Sequence, residues 1–244
     1  MERKNFLRSL MIGAISTPVI IEACSKSSSM DASTATGAGT AGTGASGAAS
    51  GCNLAPTETE GPFPTKVPAS YVRSDITNGR TGYALSIKLT IGNSNNSCAA
   101  LSGAIVDIWH CDAEGNYSEY GGSGMQSTDY QSLHFLRGRQ TTDANGLVSF
   151  TSIFPGWYSG RATHIHVHVY NSSGNSLKVT QIAFPEVTGS AVLLVNGYAK
   201  GLTGYTYNAK DNVFSDDTSG IEIATVTGTT AGGFALTMNI SVPA

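Results

Sequence analysis

The sequence predicts an all-β protein: a single β-sandwich domain over residues 52–244, preceded by a signal segment and a flexible linker. Three observations carry this. Charged residues make up only 13% of the chain, glycine occurs 29 times, and serine and threonine are plentiful. Short runs of Val, Ile, Thr and Tyr recur between Gly, Asn and Asp turns, which is the spacing of strands. No stretch after residue 52 keeps a 3.6-residue period for long enough to make a convincing helix. The net charge of −3 offers no basic excess for nucleic acid, so no such partner is expected.

Residues 1–23 read as a signal peptide of lipoprotein type. Arg3, Lys4 and Arg8 make a basic start, and Leu10 to Ile21 is an apolar run too short for a comfortable membrane span. Ile21-Glu22-Ala23-Cys24 resembles a bacterial lipobox, with Glu22 departing from the common pattern, so Cys24 is expected to be lipidated. Arg3-Lys4-Asn5-Phe6-Leu7-Arg8 fits a weakened twin-arginine signal and an ordinary secretory signal about equally. Residues 24–51 are almost entirely Ser, Ala, Gly and Thr. They bury too little apolar surface to offset ordering and should form a tether. The domain is therefore expected to be exported and held at the cell envelope, on its periplasmic or extracellular face, touching the membrane only through Cys24. Outside the cytoplasm Cys52, Cys98 and Cys111 allow one disulfide. Cys52 with Cys98 is the preferred pair, leaving Cys111 buried.

In order along the domain, Thr57 to Pro64 is an irregular segment with two prolines, where Glu58 and Glu60 read as solvated loop charges. Tyr83 to Ile91 alternates, with Leu85, Ile87, Leu89 and Ile91 on one face of a strand. A polar turn at Asn93 to Ser97 leads to a strand over Ala104 to His110. Residues 111–117 turn and deliver Tyr117, and Gly121 to Asp129 is a glycine-rich loop. Strands over Phe135 to Thr141 and Leu147 to Phe150 flank residues 142–146, which read as a hairpin turn with Asn145-Gly146 supplying positive φ. A strand around Val179 to Phe184 follows. Ala191 to Val195 fits either a strand or a short helix. Strands over Ile221 to Thr227 and Phe234 to Val242 complete the sheets.

Between these lies Gly156-Trp157-Tyr158-Ser159-Gly160-Arg161-Ala162-Thr163-His164-Ile165-His166-Val167-His168-Val169-Tyr170. Period-two alternation predicts a half-buried strand with His164, His166 and His168 on one face. Burying imidazoles side by side is costly without a shared partner. His164 and His166 are therefore metal-ligand candidates, while His168 lies further along and is left out. His110 and His134 read as structural. Zinc with an open position would suit histidines alone. The nearby tyrosines instead favour ferric iron, because phenolate is a hard anionic donor.

Four segments together carry a family resemblance. Pro155-Gly156-Trp157-Tyr158-Ser159-Gly160-Arg161-Ala162-Thr163-His164-Ile165-His166 resembles the metal-binding segment of the intradiol ring-cleavage dioxygenases, the family that includes catechol and protocatechuate dioxygenases. Thr59-Glu60-Gly61-Pro62-Phe63 is similar to that family's Thr-x-Gly-Pro-aromatic segment. Val106 to Tyr117 resembles its strand and turn bearing the first tyrosine, and Thr180-Gln181-Ile182-Ala183-Phe184 the segment with its glutamine. The order is preserved across residues 52–244, and Asp107-Ile108-Trp109-His110-Cys111-Asp112 is similar to the exported branch.

The resemblance implies Fe(III) held by Tyr117, Tyr158, His164 and His166. It also implies Tyr158, Arg161 and Gln181 as catalytic residues, and Pro62 with Arg161 in the substrate pocket. A catechol would be cleaved by O2 between its two hydroxylated carbons to a cis,cis-muconate-type diacid, with Tyr158 released as a local base. For Arg161 the competing reading is an ion pair with an aspartate of the chain, and for Gln181 a tie between strands. A carboxylated catechol would need a cation, for which Arg73, Arg137 and Arg139 are candidates. The helical dimerisation region of cytosolic relatives is absent, so the oligomeric state is open, a homodimer included. The alternatives are a lipid-tethered β-sandwich that binds carbohydrate or protein without catalysis, an inactive member of the family, and a zinc hydrolase.

Overall fold

The computed structural model describes residues 52–244; the signal segment, Cys24 and the tether lie outside the described residues. Among the described residues nine strands form two sheets. In chain order they are β1 (Ala84–Asn93), β2 (Ala99–Ala100), β3 (Ile105–Trp109), β4 (Arg137–Thr141), β5 (Leu147–Ile153), β6 (His164–Tyr170), β7 (Ser176–Ala183), β8 (Thr225–Thr229) and β9 (Gly233–Val242). The first sheet runs β2-β1-β9-β8, with β5 paired to the same side of β1 as β2; the second runs β4-β3-β6-β7. The sequence prediction of an all-β sandwich is met. Among the described residues no helix is long and apolar enough to cross a membrane.

The core forms where the apolar faces of the two sheets meet. Leu85, Ile87, Leu89 and Ile91 of β1 point into it as the alternation predicts, opposite Val106, Ile108, Ile165, Val167, Val169 and Ile182. Cys52 and Cys98 are disulfide-bonded and Cys111 is a buried free thiol, both as expected.

Several local expectations are corrected, and one left open between strand and helix is decided. Residues 142–146 do form a turn, closed by Gly146 N–H donating to the Asp143 carbonyl at 3.0 Å, and Gly146 has φ +72. It is not a hairpin, because β4 pairs with β3 and β5 pairs with β1, so the turn carries the chain from one sheet to the other. Asn145 is not among the residues with positive φ. Ala191–Val195 is a five-residue helix, α1. The strand expected from Ile221 begins only at Thr225, because residues 222–224 turn aside to bond the edge of β7 at Ala183.

The largest correction concerns β6. It was expected to be half-buried, yet its residues from His164 to Val169 are buried on both faces. The histidine face is roofed by residues 59–63 and by aromatic side chains. A Cβ placed on Gly61, whose φ is +68, would stand 3.1 Å from His166 Cε1, so a side chain there would be strained and would press on the ring.

Candidate metal and substrate site

Strand register assembles half of the site. Residues opposite each other in antiparallel strands share a face, and His166 of β6 lies opposite both Trp109 of β3 and Gln181 of β7. Arg137 pairs with Trp109 on the far side. One cross-strand row therefore reads Arg137, Trp109, His166, Gln181. Trp109 and His166 stack parallel, centroids 4.9 Å apart and planes within 1°.

Loops supply the other half. Asp112 Oδ1 accepts the Glu114 and Asn116 amides, winding the turn that presents Tyr117. This turn lies directly against the loop bearing Tyr158. Gly156 N–H donates to the Asp112 carbonyl at 3.0 Å, a Cβ on Gly115 would meet Trp157 O at 2.2 Å, and one on Gly156 would meet Ala113 O at 2.5 Å. The glycines let the two backbones touch, which holds the Tyr117 and Tyr158 rings 5.8 Å apart. Gln126, unmarked in the sequence, clasps Tyr117 from behind: its Oε1 accepts the Tyr117 amide and its Nε2 donates to the Tyr117 carbonyl. Phe63 stacks on Tyr117 at 4.8 Å.

Three donor atoms converge. His164 Nε2 and His166 Nε2 are 3.1 Å apart, and Tyr117 Oη lies 3.2 Å from His164 Nε2. His164 Nδ1 donates to the Ala162 carbonyl at 2.6 Å, which leaves the Nε2 lone pair facing the other two groups. Burial pushes the His164 pKa down to about 3, with the Arg161 charge adding to the effect, and pushes His166 well down too. Both imidazoles are thus neutral and able to ligate. Burial likewise raises the Tyr117 and Tyr158 phenols. His166 Nδ1 is buried without a hydrogen bond of good geometry, though the Thr59 backbone is close. Among the described residues no three His, Cys, Asp or Glu side chains cluster to hold a metal. The convergent donors here are two imidazoles and the Tyr117 phenol, with the Tyr158 ring beside them, a set that fits a hard trivalent cation because a phenolate supplies anionic charge.

Tyr158 is half-buried on its loop, its ring 5.7 Å edge-on to His164. Arg161 follows on the same loop, and the ion-pair reading of it holds. Its Nε donates to Asp211 at 2.9 Å, and its Nη2 donates to Gln181 Oε1 at 2.7 Å. Gln181 Nε2 in turn donates to the Thr59 carbonyl at 2.9 Å. Asp211 is fully buried and also accepts the Ala162 and Val213 amides. Burial raises its pKa, but the Arg161 and backbone hydrogen bonds outweigh that and hold it below the usual carboxylate range. Pro62 is exposed, between Gly61 on His166 and Phe63 on Tyr117, at the rim of the site.

Residues set aside from the sequence have other employment. His168 bonds Ser176 Oγ, Tyr170 Oη and Glu60 Oε1, so Glu60 is paired rather than simply solvated. His110 is buried between the Cys111 carbonyl and Ser152 Oγ, a structural residue as expected. The three arginines considered for a substrate carboxylate are engaged elsewhere. Arg137 donates to Ser118, the Phe63 carbonyl and Thr65, Arg139 pairs bidentately with Asp107, and Arg73 donates to the His134 and Arg137 carbonyls.

Comparison with known proteins gives the family of the chain. A sequence-family model described as Dioxygenase matches residues 81–213. An intradiol ring-cleavage dioxygenase from Tetranychus urticae has a similar structure, with a TM-score of 0.67 and 30% identity over 79% of this chain and 96% of that one. The chain belongs to the intradiol ring-cleavage dioxygenases. A chlorocatechol 1,2-dioxygenase of Rhodococcus opacus is 27% identical over 143 residues, a match spanning 50% of this chain and 51% of that relative's length. The dioxygenase domain of a carbohydrate-binding fusion from Streptomyces sp. SirexAA-E shares the fold, with a TM-score of 0.53 and 23% identity. This family is one of ring-cleaving oxidoreductases, so the chain is an enzyme rather than a binding module.

Proposed function

We propose that this dioxygenase binds Fe(III) through Tyr117, Tyr158, His164 and His166, and cleaves a catechol with O2 between its hydroxylated carbons. The observation that carries the reading is the convergence on the neutral His164 Nε2 of the His166 Nε2 at 3.1 Å and the Tyr117 oxygen at 3.2 Å. Ferric iron bound there would acidify the catechol hydroxyls and open the ring to attack by O2, with a cis,cis-muconate-type diacid as product. Tyr117, His164 and His166 are buried and fixed by the turn and the strand, and serve as anchors. Tyr158 is the half-buried donor on a loop, and its oxygen would take up a substrate proton on substrate binding. Arg161 is cationic at all working pH values and faces the anionic substrate, while Gln181 fixes its Nη2. Pro62 and Phe63 line the approach. An exported setting is supported by the Cys52–Cys98 disulfide. Anchoring through lipidated Cys24 and the 24–51 tether completes the proposal.

Iron analysis with a visible spectrum tests it. The purified chain should be red-brown from ferric tyrosinate, and anaerobic catechol should shift the band. A colourless protein holding stoichiometric zinc would sink the reading. Tyr158→Phe should cut turnover by about a hundredfold or more while most iron is retained. Loss of iron with turnover per iron unchanged would contradict the leaving-donor role.

A further inference from the structure

Residues 154–157 lead from β5 to Tyr158, and the single turn Tyr198–Lys200 grips them at both ends. Tyr198 Oη donates to the Phe154 carbonyl at 2.7 Å, and Lys200 Nζ donates to the Trp157 carbonyl at 2.9 Å. The Lys200 ammonium also sits 3.7 Å from the centroid of the Trp157 ring, a cation over an aromatic face. Trp157 Nε1 returns a hydrogen bond to the Gly201 carbonyl at 2.9 Å. Glycine at 197 permits this close fit. With φ +65 there, a Cβ would stand 2.8 Å from Trp157 Nε1 and 2.1 Å from Gly201 O.

Among the described residues no carboxylate pairs with Lys200. Its side chain borders a cavity of about 500 Å³, lined also by Thr81, Ala113, Glu114 and Tyr198. Glu114 shares that cavity without reaching ion-pair distance. The ammonium is therefore spent on the ring and the carbonyl of one residue, the one directly before Tyr158. Beyond Tyr158 the packing ends. Ser159 and Gly160 are exposed, and a Cβ on Gly160 would meet nothing within 4 Å.

We infer that Lys200 is a positioning residue for Tyr158: it clamps the backbone in front of that tyrosine, so the phenol moves by side-chain rotation and not by opening of the loop. The inference rests on the role proposed above for Tyr158. A phenol that turns on a fixed backbone returns to one place after each turnover. On a loosened backbone it is misplaced, and errors of about 1 Å can cost up to about a hundredfold in rate.

The test compares Lys200→Met and Lys200→Arg with Lys88→Met, a change at an exposed lysine of β1. Hydrogen exchange of residues 154–160, followed by mass spectrometry, needs neither iron nor turnover. Lys200→Met should speed that exchange by about tenfold while leaving β6 unchanged. Lys200→Arg keeps a cation and N–H donors and should restore most of the protection, and Lys88→Met should change nothing. Exchange unmoved in Lys200→Met overturns the clamp, whatever the chain's activity. In the iron-loaded enzyme Lys200→Met should lower kcat about tenfold with iron retained. In a Tyr158→Phe background the same change should cost less than about twofold, because two residues that act as one unit are not additive. Equal losses in both backgrounds, or no loss in the first, mean that Lys200 does not act through Tyr158 and overturn the inference. Faster exchange in a Lys200→Met chain that has no ring-cleaving activity even as wild type supports the clamp and sinks only the proposed reaction.

Discussion

Replacing Asp211 with alanine is expected to cost about 3–5 kcal/mol, the usual effect of removing one partner of a buried ion pair. Asp211 has no exposure to water, and it answers Arg161 Nε as well as the Ala162 and Val213 amides. Alanine leaves the guanidinium buried beside Phe214 with its Nε unanswered, and leaves two backbone donors unpaired. For a domain of this size the melting temperature should fall on the order of 10 °C. Asp211→Asn keeps an acceptor for the Arg161 Nε and the two amides and should lose less stability than alanine. It still leaves the buried guanidinium without a counter-charge and removes the charge that orients Arg161. In that variant the proposed substrate role of Arg161 predicts that kcat falls more than the melting temperature suggests, because the guanidinium loses the carboxylate that fixes its direction. A melting curve for Asp211→Ala within a degree or two of wild type would refute this account.

Asp211 also marks the limit of what the sequence makes legible. An aspartate partner for Arg161 is a natural competing reading, but which aspartate depends on a contact 50 residues away in sequence, in a region with no periodic pattern. Gln126 is hidden for a similar reason, since a glutamine in a glycine-rich loop carries no local mark of the hydrogen bonds it makes. What could be read was local. Alternation in β1 and β6 reports strands and their faces, and the Gly-Trp-Tyr-x-Gly-Arg loop before β6 reports a tight turn bearing a tyrosine and an arginine. The turn at 142–146 was legible as a turn, but not as a passage between sheets, because strand partners are chosen by the tertiary fold. The roof over the histidines was equally hidden. Gly61 is locally a proline-flanked loop glycine, and only the packed structure shows it pressed on His166. The histidine strand therefore looked half-solvated when it is enclosed, which is also why its imidazoles are neutral and ready to ligate.

That enclosure separates two histidines whose sequence positions look equivalent. His166→Ala is expected to lose the bound iron and its visible band together, whereas His168→Ala should keep both. His166 Nε2 points at His164 Nε2 across 3.1 Å and its ring is held flat on Trp109. His168, two residues on, spends both ring nitrogens on Ser176, Tyr170 and Glu60. Loss of a supporting group around a metal costs roughly 10–100-fold in affinity, and loss of a ligand should cost more. His168→Ala should instead show a stability loss of about 1–3 kcal/mol from the acceptors and donors it strands. Iron stoichiometry after dialysis against a chelator, read beside a melting curve for each variant, separates the two effects. If His166→Ala held stoichiometric iron, or if His168→Ala lost it equally, ligation by the His164–His166 pair would be wrong. The strand would then owe its buried imidazoles to packing alone.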